Sequence, residues 1–581
     1  MPLSRILKSL GAILIALTVL FYVGYLVVYL VYAADLFRWP FDYDQGEGFE
    51  LYDAVLYSRG EWPYRDNAVY PFYASNYPPL FHLLIVPLLS IFGPRLIAGR
   101  LVSFVATLVT GGVIFVVVRR KVACPEQFGS AHCKLRRRGG WFIPLISGLA
   151  FLASNYVYQV GPLCRMHMTM VMFETLAIAF IAEFEHPRHG RRNFTLGLLM
   201  LLCAGYTKQM AVFTVAAALA YVFLRDMKKA IAAGVVLIVV VGTIFWLLNV
   251  VTDGQWWVNV IQANVNEFDY RQTVFLFGQW FRLHTVFILL AVGYLVYELF
   301  WDRLSAYSLW FFFSLGAGAL SGKWGAGFGY FTTAVAAACL TSGLALGRLQ
   351  KGERRLENGE RRMKDGNRSL PFAIRHSLFA IRTLLVVLIP LLYLLQAPRL
   401  LHMPTSGPVF GPLARVLGVA DALIEGDCAT FQYYDTMGYT QLGHLLTADD
   451  YAAGEEILNY VRTADGPVFS EEAMFSLLAD EPVVTNPTQL LNLYNNGLLD
   501  TTDIVARINR QEFGVIIFRA QFYPQPVLNA VGQNYQPVEH LCMNGFYYHV
   551  LWPRRRLAGP SGSSDRPDDL ACVSSSVRWV R

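Results

Sequence analysis

The residues best able to do chemistry are few, and they fall in short polar breaks between apolar runs. The first break carries Asp44-Gln45-Gly46-Glu47-Gly48, two carboxylates three residues apart in a segment whose glycines permit a tight turn. Later breaks carry cations. Arg165 and His167 precede one apolar run, Thr207, Lys208 and Gln209 interrupt another, and Lys323 sits in Ser321-Gly322-Lys323-Trp324-Gly325. A Lys or Arg near bilayer depth costs about 2.5–3.5 kcal/mol, less whatever snorkelling recovers, so a bound anion would offset the remainder. Residues 252–282 add Gln262, Asn264, Glu267 and Arg271 beside Trp256, Trp257 and Tyr270. Such amides and aromatics suit a sugar, and they suit an interfacial aromatic belt equally well. Carboxylates in one break facing cations in several others could hold a hydroxyl acceptor and a lipid phosphate together.

Each of these residues also has an ordinary reading. Lys208 could be the polar tip of a helical hairpin, Arg165 could snorkel, His167 could be a structural hydrogen-bonder, and Asp42 and the later acids of its loop could be solvated surface charges. The coincidence of all of them on one side of the chain's apolar segments is what favours a site.

The elements that must position them are membrane helices. Hydrophobic residues make up 55% of the 581-residue chain and charged residues 15%, against about 25% charged in soluble domains, so water is not its main solvent. A net charge of +6 would suit nucleic acid, but the basic residues lie in short loops between apolar segments, and no nucleic-acid partner is expected. The first apolar run, residues 10–31 behind Arg5 and Lys8, exceeds the roughly 7–15 residues of a signal-peptide core and reads as an uncleaved first helix. Residues 96–118, 229–251, 328–347 and 378–396 also approach the ~20 residues needed to span hydrocarbon. Shorter candidates lie at 141–155, 168–184, 194–206, 210–224, 284–300 and 305–320, with polar ends suited to protein-lined cavities.

Arg and Lys collect in every second loop, as the positive-inside rule requires. The loop 119–138, the turns around Arg188, Arg191 and Arg192 and around Arg225, Lys228 and Lys229, and the long basic loop 348–376 all fall on one, cytoplasmic, side. Residues 79–92 are apolar but short and contain Pro87, and they are expected to form an interfacial or re-entrant helix. The expected fold is therefore an α-helical polytopic membrane protein with about 11 transmembrane helices plus that interfacial helix, and the first loop, residues 35–78, lies outside. Within it, Phe49, Leu51, Tyr52, Val55 and Leu56 predict an amphipathic helix along the membrane surface.

The first loop, with Asp44-Gln45-Gly46-Glu47-Gly48 followed by Asn76-Tyr77-Pro78-Pro79-Leu80, resembles the glycosyltransferase C superfamily, in the branch of bacterial protein O-mannosyltransferase and aminoarabinose transferase relatives. Gly93 with Arg100, Arg165 before a helix, and Thr207-Lys208 between two short helices extend the resemblance over about residues 5–350. It implies an inverting transferase using a polyprenyl-phosphate sugar, with Asp44 as general base on an acceptor hydroxyl and Glu47 orienting the acceptor or helping to hold a divalent cation, magnesium or manganese. It assigns Lys208, Arg165 and Lys323 to the donor phosphate, and Asn76, Tyr77, His167, Gln209, Glu267 and Arg271 to acceptor or sugar contacts. The implied partners are the polyprenyl-phosphate sugar, membrane lipid, and an acceptor glycan, lipid or protein. Two departures stand out. Tyr77 replaces the basic or histidine residue that often precedes Pro-Pro, and His167 replaces an acid common after the Arg165 position.

Residues 1–396 thus form the membrane portion, and 397–558 a small extracytoplasmic α/β domain. Its predicted elements are a helix from Asp449 to Thr463, strands at 467–470, 514–519 and 546–552, and helices at 489–495 and 502–510. Residues 559–581 read as a disordered tail. Glu471 and Glu472 read as a helix start. Cys428 and Cys542 could bridge if the domain is exported, whereas Cys124 and Cys133 beside His132 make a poor zinc site. Two other functions fit the composition: a transporter or flippase for lipid-linked or anionic solutes, and a noncatalytic scaffold that binds glycans. Against the transporter stand the lack of an evident internal repeat and the crowding of reactive groups on one side.

Overall fold

The computed structural model describes residues 2–123, 141–364, 387–396, 410–417 and 445–554. The chain begins with a long helix α1 (Pro2–Arg38), and a short loop leads to α2 (Glu47–Ser58). The Pro78-Pro79 pair then introduces α3 (Leu80–Phe92), which at 1.5 Å per residue runs about 20 Å and is too short to cross a bilayer. Next come α4 (Leu96–Ala123), α5 (Phe142–Ala153), α6 (Asn155–Val160), α7 (His167–Ile181), α8 (Gly190–Thr207) and α9 (Val212–Phe223). After them stand α10 (Met227–Val251), α11 (Gln255–Val260), α12 (Tyr270–Trp301), α13 (Ala306–Ala319) and α14 (Thr332–Lys364).

Five stretches are long and apolar enough to cross a membrane: Ser9–Arg38, Leu96–Val122, Met227–Val251, Tyr270–Trp301 and Phe328–Leu349. Four coincide with expected spans, and the fifth corrects the sequence reading. Residues 270–282, expected in an outer loop, are the first turns of α12. Asp269 caps that helix, its side chain accepting from the Arg271 amide, and a buried stripe of Thr273, Leu276, Trp280, His284, Phe287, Ile288 and Ala291 runs along it at helical spacing. The local break at His284 is where the sequence reading placed its start. A second correction concerns the basic loop 348–376, whose first part, to Lys364, continues α14. Of the expected span 378–396, only helix Val387–Gln396 lies among the described residues.

Inside the bundle, helices are tied by polar side chains that satisfy one another. Glu174 on α7 accepts from Thr214 on α9 at 2.7 Å and from Thr333 on α14 at 2.6 Å, and Trp310 of α13 donates to the Thr214 hydroxyl at 3.0 Å. Helices α7, α9, α13 and α14 thus meet in one hydrogen-bonded network.

Beyond Leu446 the pattern changes to a four-stranded sheet, order β1-β2-β4-β3, formed by β1 (Val468–Ser470), β2 (Val515–Phe518), β3 (Tyr535–Met543) and β4 (Phe546–Pro553). β1 and β2 are parallel, and β4 runs antiparallel to both β2 and β3. The wholly buried Val515–Phe518 run explains why β2 is apolar throughout, whereas β3, exposed along one face, carries no apolar run and escaped the sequence reading. Helix Ala448–Arg462 is capped by Thr447 in a reciprocal pair with Asp450, two residues before the expected Asp449. Cys542 is disulfide-bonded; Cys428 and the expected tail 559–581 lie outside the described residues.

Candidate functional site

The site is assembled around the first loop. Gly46 adopts φ 109°, a left-handed conformation that only glycine enters without strain, and its chain reversal starts α2. A Cβ here would also meet the Arg165 guanidinium at 2.9 Å. The turn therefore brings the backbone and the Asp44 carboxylate onto Arg165, which donates to Asp44 Oδ2 from Nε at 2.7 Å, pairs with it through Nη2 at 2.6 Å, and donates to the Gln45 carbonyl. Gly48 serves a different need. Its amide donates to buried Asp42 at 2.5 Å, and a Cβ would lie 2.9 Å from the amide nitrogen of Met474. The second glycine thus admits the C-terminal sheet unit to close contact, while the first makes the turn.

Glu47 and Arg100 form a wholly buried ion pair, with Arg100 Nη2 at 2.8 Å and Nε at 2.9 Å from the carboxylate. The amides of Cys164 at 2.7 Å, Tyr43 at 3.0 Å and Asp44 at 3.4 Å complete five hydrogen bonds to Glu47. Arg100 spends its other donors on the carbonyls of Leu36, Trp39 and Phe41. Burial pushes the Glu47 carboxyl up, but Arg100 and the amides outweigh it and hold it below the ordinary value. The expectation that Glu47 orients an acceptor or shares a cation with Asp44 is not met by this geometry. Both of its oxygens are already engaged, so it fixes the ends of α1, α2 and α4 against the 164 backbone.

The acids of the first loop are not solvated as the ordinary reading has them. Asp42, Glu50 and Asp53 are each 3% exposed or less, because α2 is covered on one side by α3 and on the other by helix Ala473–Leu478. Hence α2 is buried on all faces rather than lying along a membrane surface. Burial, with Glu472 nearby, raises the Asp42 carboxyl well above its usual range. Glu471 and Glu472 do precede a helix, but they are also buried: Glu471 accepts from the amides of Arg519, Ala520 and Phe522, and Glu472 pairs with Arg519 at 2.5 Å.

A second group lies beside the first. Lys208, in the extended break after α8, is 4% exposed. Its Nζ stands 2.6 Å from His167 Nε2, 5.2 Å from the Tyr77 ring centroid and 5.5 Å from that of Tyr330. Burial lowers its pKa to about 7, with Arg165 and Lys323 adding positive field and Glu50 opposing them. Lys323, half-buried and lowered in pKa by burial, donates to the Asn264 carbonyl at 2.5 Å; the Asn264 amide in turn donates to the Asn76 carbonyl at 3.0 Å. Gln209 donates to the Val260 carbonyl at 3.1 Å.

The structure thus joins Asp44 to Arg165, Lys208 to His167 and Tyr77, and Lys323 to Asn76 through Asn264. Arg165, Glu50 and Lys323 all lie near enough to Lys208 to act on its charge, so the two groups are neighbours. Glu267 and Arg271 are exposed, and among the described residues no hydrogen bond or ion pair ties their side chains to either. The sequence reading missed Tyr330, the Arg100 partner of Glu47, and the meeting of Glu50, Asp53 and His82. The three-residue spacing of Glu47, Glu50 and Asp53 on one helix is the signal that could have found the last.

Helices of this arrangement, with buried polar residues gathered at their ends and a small sheet unit packed over them, make up a polytopic helical fold with five helices long and apolar enough to cross a membrane among the described residues. That fold is shared by ArnT from Cupriavidus metallidurans. In its apo state ArnT aligns over 94% of this chain and 99% of its own at 15% identity and a TM-score of 0.56. Bound to undecaprenyl phosphate, it aligns over 92% and 98% at 15% identity and a TM-score of 0.54. An oligosaccharyltransferase from Archaeoglobus fulgidus aligns at 12% identity over 90% of this chain and 73% of its own, with a TM-score of 0.48. No family model and no curated protein sequence matches the chain.

Proposed function

We propose that this protein is a membrane glycosyltransferase that takes a sugar from a polyprenyl-phosphate donor and transfers it to an acceptor hydroxyl at the outer face of the membrane. The observation that carries the reading is the juxtaposition of a buried carboxylate, Asp44, with a buried cation, Lys208, across Arg165. The shared fold with a protein captured on undecaprenyl phosphate supports it. Asp44 acts as general base, drawing the proton from the acceptor as its oxygen attacks the anomeric carbon opposite the departing lipid phosphate. Arg165 holds that carboxylate in place, while Lys208, aided by Lys323, meets the charge that grows on the leaving phosphate. Tyr77 and Tyr330 flank the ammonium and exclude water from it. In this reading the 445–554 unit lies outside the membrane, and donor and acceptor meet on that face.

The decisive experiment offers the purified protein, in lipid, a panel of polyprenyl-phosphate sugars and follows release of the lipid phosphate. Release from one sugar donor establishes the reaction class; no release from any donor, with any acceptor class added, overturns it.

Two further results are expected. Lys208 in the free enzyme loses its proton near pH 7, whereas beside a phosphodiester it keeps it. Donor affinity should therefore be flat below about pH 7 and fall by up to about tenfold per pH unit above it, a dependence that Lys208→Met abolishes along with most of the affinity. Equilibrium donor binding from pH 6 to 9 checks this. Gly46→Ala forces a side chain into a left-handed position, at a cost of roughly 1–2 kcal/mol, and drives its methyl against Arg165. We expect a protein of slightly lower melting temperature whose kcat falls far more than its donor affinity.

A further inference from the structure

We propose that His540 and His549, paired across the β3–β4 hairpin of the C-terminal sheet, form a chelating site for a late first-row divalent metal, copper(II) or nickel(II) ahead of zinc. The two residues stand directly opposite each other in the antiparallel ladder, so their side chains leave the sheet on one face with Cβ atoms about 4.5–5.5 Å apart. The rings meet nearly at right angles, centroids 4.8 Å apart, and the two Nδ1 atoms converge to 2.6 Å. Among the described residues that contact is the only hydrogen bond either imidazole makes, and no carboxylate pairs with either ring. Two good ligand atoms thus point at one spot, which no cation-pairing or capping role explains.

The spacing of the nitrogens selects the ion. A ligating imidazole nitrogen lies about 2.0–2.1 Å from the metal, so two of them stand roughly 2.9 Å apart at a right angle and roughly 3.3 Å apart at the tetrahedral angle. The observed pair must open by about 0.3 Å for the right-angled geometry of copper(II) or nickel(II), and by about twice that for tetrahedral zinc. The Irving–Williams order also puts copper first. The scaffold allows that small opening on one side only. β4 lies between β2 and β3, His549 is opposite Phe518 on β2, and its neighbours Tyr548 and Val550 are buried, so that ring is held. β3 is the edge strand, and His540 is exposed on it together with Cys542 and, across the ladder, Tyr547. One fixed ligand and one adjustable ligand face solvent, from which water fills the remaining positions.

In the metal-free pair one Nδ1–H donates to the other Nδ1. On binding, that proton leaves to solvent and water reprotonates the same ring at Nε2, so no net proton is released and both Nδ1 lone pairs face the ion. The complex staples β3 to β4. The turn of this hairpin reaches the first loop, the Asn544 side chain donating to the Tyr43 carbonyl at 2.9 Å and its amide to Asp450 at 2.7 Å. A bound ion therefore stiffens the hairpin that buttresses the residue before Asp44. The site stands on these two side chains and does not depend on the proposed reaction.

The test uses full-length protein made without a polyhistidine tag, purified in detergent, stripped with chelator and titrated with Cu²⁺, Ni²⁺, Zn²⁺ or Mn²⁺. We expect one equivalent of copper bound most tightly, a melting temperature that rises most with copper and not with manganese, and an electron paramagnetic resonance spectrum showing two coordinated imidazole nitrogens. His540→Gln and His549→Gln should each lose at least about tenfold in copper affinity, the least that loss of even a ligand's supporting partner costs, and show one nitrogen fewer. The double variant His186→Gln with His189→Gln should keep the site, because His186 Nδ1 already accepts from the amides of Arg188 and His189. If His549→Gln does not give monodisperse protein, His540→Gln on the exposed edge decides alone. Copper affinity and spectrum unchanged in the His540 variant mean an adventitious ion only and overturn the site. Zinc bound more tightly than copper overturns the right-angled geometry.

Discussion

Asp44→Asn is expected to lower turnover about 10²- to 10⁴-fold, the usual worth of a positioned general base, while leaving donor binding and melting temperature near those of the wild type. The amide oxygen of an asparagine can still accept from the Arg165 guanidinium that now donates to Asp44 Oδ2, so the loop keeps its shape and only the proton acceptor is lost. Release of lipid phosphate under saturating donor and acceptor measures the chemical step directly. Turnover retained at the wild-type level would remove Asp44 from the mechanism. The same assay on Glu50→Gln then separates the two carboxylates that Arg165 touches.

How much of this was legible in the sequence depends on what each residue's neighbours contribute. The spans at 10–31, 96–118 and 229–251 follow from unbroken apolar length, which no tertiary contact can disguise. Helix α12 begins earlier than the apolar run does because Tyr270 and Arg271 are exposed and Gln272 bonds the 321–326 carbonyls, while Thr273, Leu276 and Trp280 face the bundle. A mean over the segment hides that stripe. The cations Arg165, Lys208 and Lys323 were visible because an isolated charge between apolar runs needs an explanation. The acids of α2 were misread for the complementary reason: carboxylates in a polar loop ordinarily meet water, and the sequence alone does not say that the 445–554 unit comes back to cover them. Only long-range packing distinguishes Asp42, bonded to the Met474 amide 432 residues away, from an exposed acid. Partner assignment was equally out of reach. Arg100 and Glu47 stand 53 residues apart, and nothing local to either names the other.

That pair carries the second large effect, and it is an effect on folding rather than on chemistry. Breaking a buried ion pair by removing one partner typically costs about 3–5 kcal/mol, because the survivor is left charged and unmatched. Here Arg100→Met also orphans the carbonyls of Leu36, Trp39 and Phe41, and leaves Glu47 with amides alone. Arg100→Met is therefore expected to abolish monodisperse protein at 37 °C, and Glu47→Gln, which keeps a hydrogen-bonding shape, to lower the melting temperature less. The double variant Arg100→Met with Glu47→Gln should recover part of the loss, since no uncompensated charge remains. The sign of the pH effect is fixed as well. Glu47 titrates below its ordinary value when folded, so its contribution is present above the unfolded value and is lost as pH falls through the folded one. Gel filtration in detergent and melting curves at neutral and acid pH distinguish these outcomes from the Asp44 variant. A base can be removed from an intact chamber, whereas removal of Glu47 or Arg100 takes away the walls that hold it.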